Sequence, residues 1–152
     1  MVSSVRFRRA GLVAAALASV FLLAGCAPGT SPVDNYPGMP APEHEPDGTA
    51  AEEEHENEEG EPVAAWLEDG GKLAVTIWGS STCPQVGRDI RVLEPAHEGN
   101  AVAIDLVERP EDEVCTMDLV PHTTVFWTPQ DVTTTKPLMV EVAGTTVEVP
   151  IK

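Results

Sequence analysis

The residues of this chain that could do acid–base or nucleophilic chemistry are few. His122 stands four residues after Asp118, and Ser80 and Ser81 follow Gly79 in "GSS". An aspartate that orients an imidazole beside a serine hydroxyl could form a hydrolytic triad. The serines lack the G-x-S-x-G context that exposes a nucleophile. We therefore interpret His122 as a histidine at a strand edge or turn, predict no catalytic residue, and keep a hydrolase that uses His122 only as a minor hypothesis.

Two other histidines lie among carboxylates, His44 in "PEHEP" and His55 in "EEEHENEEGE". Imidazole and carboxylate together could collect zinc, copper or calcium. Ordering such a polar segment around an ion costs about 1–2 kcal/mol per residue, so a solvated acidic spacer is the preferred interpretation. Metal capture by this segment is the alternative. No EF-hand loop, phosphate-binding loop or dinucleotide-binding glycine motif occurs, and we predict no cofactor and no defined metal site.

The third chemically active feature is Cys26, at the end of an apolar run. Three arginines precede an uncharged stretch of 15 residues from Gly11 to Gly25. About 20 apolar residues are needed to cross a bilayer, so this arrangement is typical of a secretory signal peptide. A twin-arginine export signal at Arg8 and Arg9 is the alternative to general secretion.

The four residues Leu23-Ala24-Gly25-Cys26 resemble the lipobox of bacterial lipoproteins. In proteins with that motif, the cysteine thiol receives a diacylglyceryl group and the signal peptide is cut just before it. The resemblance implies a signal peptide over residues 1–25 and lipidation of Cys26. It places the mature chain on the extracytoplasmic face of the cell membrane, and the alternative is an uncleaved anchor helix.

The charge of the mature chain limits its partners. Cleavage before Cys26 leaves 25 acidic and six basic residues, a formal charge of −19. A chain with this excess of acid is repelled by nucleic acid and by anionic lipid. We therefore expect no nucleic-acid partner, and we expect membrane association to depend on the lipid anchor.

Residues 26–62, which we call the acidic tether, combine many acids and prolines with few large apolar side chains. Such a composition cannot bury enough surface to offset chain entropy. The sequence predicts a disordered coil spanning on the order of 35 Å, which would hold a domain away from the lipid headgroups.

Residues 63–152 show short segments with alternating apolar side chains, separated by glycine- and proline-rich turns. This pattern predicts strands and an all-β domain, a small antiparallel sandwich of the immunoglobulin type. We expect Trp127 in the core and Trp78 partly exposed, and residues 63–68 could be a strand or a helical turn. The predicted strands are Lys72–Trp78, Asp89–Leu93, Ala101–Val107, Thr123–Trp127, Leu138–Val142 and Thr145–Val149, with hairpins between the second and third and between the last two.

Two cysteines, Cys83 and Cys115, remain in this domain. In an oxidising compartment, an even pair in a small exported domain favours a disulfide. Two separate buried thiols are the alternative. A redox pair is less favoured because there is no C-x-x-C motif.

Two segments of the domain resemble a group of small exported proteins and lipoproteins of actinobacteria. They are "GSSTCPQVG" (79–87) and "CTMDLVPHTTVFWTP" (115–129), with Thr82 where that group has serine. The resemblance covers most of residues 72–150. It supports the pairing of Cys83 with Cys115 and the β fold, and it implies no catalytic activity.

The sequence therefore predicts a non-enzymatic lipoprotein. Its membrane contact is the lipid anchor on Cys26, and its domain would bind an unidentified protein or ligand of the cell envelope or have a structural role there.

Overall fold

The computed structural model describes residues 29–41 and 60–152. The predicted signal peptide, Cys26, His44 and His55 lie outside these residues. Within the described ranges, no helical segment is long and apolar enough to cross a membrane. The described elements are β1 (Asp34–Pro37), β2 (Val63–Leu67), a 3-10 turn (Glu68–Gly70), β3 (Lys72–Gly79), β4 (Gly87–Glu94), β5 (Ala101–Leu106), β6 (Val120–Trp127), β7 (Leu138–Val142) and β8 (Thr145–Val149).

The strands form two four-stranded sheets, which confirms the predicted small all-β sandwich. The first sheet has the order β1-β6-β3-β2 and the second the order β4-β5-β7-β8. Both predicted hairpins, β4–β5 and β7–β8, are confirmed. The prediction of purely antiparallel sheets is wrong for β5 and β7, which run parallel. The chain between them places β6 in the first sheet, so β7 returns in the same direction as β5. The immunoglobulin-like arrangement stays a prediction.

The core lies between the two sheets and takes alternate residues from their strands. Burying each large aliphatic or aromatic side chain contributes about 1.5–3 kcal/mol. A side chain at Gly87 would put its Cβ 2.7 Å from Phe126 Cζ, so β4 can approach the core here only with glycine. The largest fully buried apolar side chains are Leu73, Val75 and Phe126 in the first sheet and Val102, Leu138, Val140 and Val149 in the second.

Asn100 fixes the long connection between β6 and β7. It is fully buried with a positive φ of 69°, a conformation that asparagine adopts more readily than most residues. Its Nδ2 donates to the carbonyl oxygens of Thr133 and Pro137, both at 3.0 Å, and its Oδ1 accepts from the Thr133 amide at 2.9 Å. The segment that follows Trp127 is therefore held against the start of β5.

The first part of the acidic tether belongs to the sandwich. Asp34–Pro37 forms the edge strand β1, paired antiparallel with β6. Before it, the Ile90 amide in β4 donates to the Thr30 carbonyl at 2.9 Å, and the Val33 amide donates to the Val125 carbonyl at 2.8 Å. The prediction of a disordered tether over the whole of 26–62 is therefore wrong for this stretch, which joins one edge of each sheet.

Candidate functional site

The two segments that carry the sequence resemblance meet at one end of the sandwich. The loop after β3 and the segment before β6 are joined by a disulfide between Cys83 and Cys115, with their Cα atoms 5.6 Å apart. The predicted pairing is confirmed, and the alternative of two separate thiols is wrong. Arg109 adds a second link, since its guanidinium donates a hydrogen bond to the Cys83 carbonyl.

A network of hydroxyl groups surrounds this disulfide. The Thr116 hydroxyl lies 2.7 Å from the Ser80 hydroxyl and 3.3 Å from that of Thr82, whose oxygen accepts from the Thr116 amide at 3.0 Å. Asp118 accepts from the Thr116 hydroxyl and, at 3.0 Å, from the Ser81 amide. The polar residues of both segments therefore bond to each other across the disulfide.

Asp118 is an ionised acceptor in this network. Hydrogen bonds from the Ser81 side chain, the Thr116 hydroxyl and the Ser81 amide lower the pKa of Asp118 to about 2. Because these bonds favour the charged carboxylate, Asp118 stays ionised at any physiological pH. A group with this pKa is a poor general base, and its role here is to hold the two loops together.

The structure does not assemble the hydrolytic triad that the sequence allowed. The Asp118 carboxylate accepts hydrogen bonds from Ser81 and Thr116, while His122 Nε2 is buried and has no hydrogen-bond partner among the described residues. Burial lowers the pKa of His122. The register pairs His122 with Ile77 of β3, and Ser80 and Ser81 bond to Thr116 instead of the imidazole. The arrangement brings Ser81 and Asp118 together. It gives the imidazole no hydrogen bond to the Asp118 carboxylate and none to a serine hydroxyl, and base catalysis by His122 requires both.

An exposed apolar stretch lies beside the same disulfide. Val114 and Met117, on either side of Cys115, are 93% and 104% exposed, and Leu119 is also exposed. Four acids precede them between Glu108 and Glu113. Because the disulfide fixes Cys115 between Val114 and Met117, the loop presents these apolar side chains next to a fixed point, as a docking surface does.

No metal centre follows from the ligand-type side chains that the structure describes. The group formed by Cys83, Glu113 and Cys115 is the one cluster of three within its described ranges. Its two sulfurs are joined in the disulfide, and only a thiolate is a strong metal ligand. Because His44 and His55 lie outside these ranges, metal capture by the tether stays a prediction.

Trp127 lies at the opposite end of the sandwich and is the largest departure from the expected side-chain placement. It is 43% exposed, so the prediction of a core position is wrong. In the register of β3 with β6, Leu73 pairs with Phe126 and Lys72 with Trp127. Phe126 therefore faces the second sheet, and Trp127 faces outward with the Lys72 ammonium 4.8 Å from its ring centre. Trp78 is half-buried, as expected.

A groove of about 470 Å³ opens beside Trp127. Apolar side chains from β4 and β6 form much of its wall, and the first described residues of the chain form its rim. Sequence reasoning missed this site because Val125, Phe126 and Trp127 are all apolar, and alternation alone cannot tell which of two apolar faces is buried. We call it the Trp127 groove, lined chiefly by Gly29, Thr30, Ile90, Val92, Trp127 and Pro129.

Comparisons of the chain with models of protein families, with curated proteins and with solved structures find no match.

Proposed function

We propose that this protein is a lipoprotein anchored through Cys26 on the extracytoplasmic face of the cell membrane, where its sandwich acts as a binding or structural module. The observation that carries the proposal is Leu23-Ala24-Gly25-Cys26 at the end of a signal-like apolar run. The Cys83–Cys115 disulfide supports it, because such bonds persist in oxidising compartments outside the cytosol.

Lipidation is tested by intact-mass spectrometry of the protein extracted from membranes. The expected species begins at Cys26 and carries the mass of a diacylglyceryl group. Cys26→Ala should carry no lipid mass, whereas Cys83→Ala/Cys115→Ala should carry the same lipid mass as the unaltered protein. An unmodified N-terminus in the unaltered protein, or a lipid mass that Cys26→Ala retains, would overturn the anchor.

A module, and not an enzyme, is favoured by the chemistry at the disulfide end. The hydroxyls and the carboxylate there bond to one another, and the half-buried His122 has no hydrogen bond to them. We also propose kinship with the small exported actinobacterial proteins that the chain resembles, because the two resembling segments form this one structural unit.

The module hypothesis predicts that a partner in the cell envelope contacts the exposed loop around Cys115. Crosslinking in intact cells should give a defined product with the unaltered protein and with Thr146→Asp, an exposed control on β8. Met117→Asp should lose that product, because a charge at the centre of the apolar stretch opposes docking. A product that is equally strong in both variants would contradict the use of this loop.

A further inference from the structure

We propose that the end of the sandwich that carries the Trp127 groove lies against the lipid bilayer, held there by the short connection between Cys26 and Gly29. This inference rests on the proposed lipidation of Cys26. The surface it assigns to the bilayer is the outward face of Trp127 together with the rim formed by Gly29 and Thr30.

The first step is the length of chain between anchor and sandwich. Thr30 is fixed by the Ile90 amide, which donates to its carbonyl at 2.9 Å, and by its own hydroxyl, which donates to Asp89 at 3.1 Å. Three peptide units separate Cys26 from Gly29, and they span at most roughly 11 Å. Because the acyl chains of a lipidated Cys26 lie within the bilayer, Gly29 must lie close to its surface.

The second step is which surface Gly29 brings to the lipid. Gly29 and Thr30 line the same groove as Trp127 and Pro129. Tryptophan is favoured at membrane interfaces because its ring is apolar and its N–H is polar. The Lys72 ammonium lies over the ring and pairs with Glu68 at 2.5 Å, so charged groups border the apolar ring as they do at a membrane interface. The groove therefore presents an apolar ring and polar groups side by side, as an interfacial contact requires, at the point nearest the anchor.

The third step is the distribution of charge. Although the chain is strongly acidic, four of the six bases of the mature chain lie at or near the Trp127 end. Lys72 lies over the Trp127 ring and Arg91 lines the groove, while Lys136 bonds to Ala96 and Lys152 to Thr134. The loop at the disulfide end has four acids between Glu108 and Glu113 and one base. The Trp127 end has acids as well, since Glu68 pairs with Lys72, Asp69 pairs with Lys152 and Asp131 lines the groove. The charges at this end therefore largely offset one another, whereas the loop at the disulfide end keeps an excess of acid. An anionic bilayer repels the Trp127 end less than that loop, so the charges agree with the same orientation.

The chain contains a matched internal control for this orientation. Trp78 lies on the same strand and outward face as Lys72 but pairs with Pro121 near the disulfide end. Six residues of strand separate it from Lys72, about 20 Å. Quenching by a reagent in the lipid should therefore distinguish Trp127 from Trp78.

The experiment uses the full acylated protein in phosphatidylcholine vesicles whose acyl chains are brominated near the glycerol, since bromine quenches tryptophan fluorescence at short range. Trp66→Phe/Trp78→Phe leaves Trp127 as the one tryptophan, and Trp66→Phe/Trp127→Phe leaves Trp78. We expect emission from Trp127 to fall about twofold relative to unbrominated vesicles, because its ring would lie at headgroup level, and emission from Trp78 to stay unchanged.

A second measurement covers the case in which a tryptophan variant fails to fold. Hydrogen–deuterium exchange of the unaltered lipoprotein should slow over residues 127–131 when vesicles are present and stay unchanged over residues 114–119. Equal quenching of both tryptophans, or unchanged exchange at 127–131, would overturn the orientation. Intact mass and flotation with the vesicles are recorded on the same sample. A protein that lacks lipid contradicts the proposed function, whereas a lipidated protein with an unquenched Trp127 contradicts this inference alone.

Discussion

At the scale of single residues, Asp118 makes the contacts that join the two loops beside the disulfide. Its pKa of about 2 lies below the usual 3.8, so the unfolded chain takes up this proton at a higher pH than the folded chain. The stability that the carboxylate contributes is therefore present above pH 3.8 and lost as the pH falls toward 2. In denaturant unfolding, we expect Asp118→Asn to have a lower midpoint than the unaltered chain at neutral pH. As the pH falls from 3.8 toward 2, the midpoint of the variant should fall less than that of the unaltered chain. Asp112→Asn, an exposed acid of the same segment, should behave as the unaltered chain does.

His122 is the other residue whose ionisation is coupled to folding. Burial lowers its pKa below the usual 6.5, so the unfolded chain binds the proton more readily than the folded one. The neutral ring gives its full stability above pH 6.5, and this contribution declines as the pH falls toward the lower pKa of the folded state. We expect the unfolding midpoint to be lower at about pH 5.5 than at about pH 7.5. His122→Leu should reduce this difference, and His97→Asn, which alters an exposed histidine, should preserve it. Equal pH dependence in His122→Leu would contradict the assignment.

At the scale of elements, the strands that alternation predicts are those that bury one face. Leu73, Val75 and Ile77 mark β3 in this way, and the predicted bounds of β7 and β8 agree with the structure. The turn at Ala143 and Gly144 has φ values of 51° and 79°, as a tight hairpin of this type requires. Local sequence determines such features because the residues that interact are near each other along the chain.

Two features of the fold depend on distant pairing and could not be predicted in this way. The strand β1 is "DNYP", whose aspartate, asparagine and proline are poor strand formers, and it forms because β6 offers an unpaired edge. Trp127 faces outward because β6 pairs with β3 in the register that joins Leu73 to Phe126. The Trp127 groove therefore escapes sequence analysis, whereas the disulfide end was indicated by its cysteines and its resemblance.

The junction of β1 with the first sheet leads to a further prediction. The buried Thr123 hydroxyl donates to the Gly38 carbonyl at 2.6 Å and lies 2.8 Å from the Thr76 hydroxyl. Thr123→Val keeps the shape of the side chain but removes its hydroxyl, so the Gly38 carbonyl and the Thr76 hydroxyl both lose this hydrogen-bond partner. We expect the free energy of unfolding to fall by about 1–3 kcal/mol, measured by denaturant titration. The exposed Thr146→Val should change it by no more than about 0.5 kcal/mol. Equal stability of the two variants would show that this contact does not hold β1.

At the scale of the whole molecule, the two ends of the sandwich have different chemistry. The Trp127 end contains most of the bases and the first described residues of the chain, close to the proposed anchor. The disulfide end has the acidic loop and the exposed Val114 and Met117. If Cys26 is lipidated, the disulfide end points away from the bilayer, toward partners in the envelope. The membrane and partner surfaces would then be separated by the length of β3 and β6.

This arrangement also changes the expected role of the acid-rich residues of the tether. Residues 42–59 connect β1 to β2, two strands of the same sheet, so both ends of this segment are fixed on the sandwich. Lengthening or shortening such a connection alters a loop and does not alter the distance between the anchor and the domain. That distance depends on the three peptide units between Cys26 and Gly29.

Two changes in chain length separate these roles. In one variant, a Gly/Ser link of about eight residues, with a reach of roughly 27 Å, replaces residues 43–58. In the other, about 20 Gly/Ser residues, which span roughly 25 Å as a coil, are inserted between Pro28 and Gly29. Neutron reflectometry of the acylated proteins on a supported phosphatidylcholine bilayer measures the solvent gap beneath the protein layer. We expect the first variant to match the unaltered protein, since its anchor connection is unchanged, and the second to show a gap wider by about 25 Å. A gap that narrows in the first variant, or stays constant in the second, would mean that the acidic segment sets the height of the sandwich above the membrane.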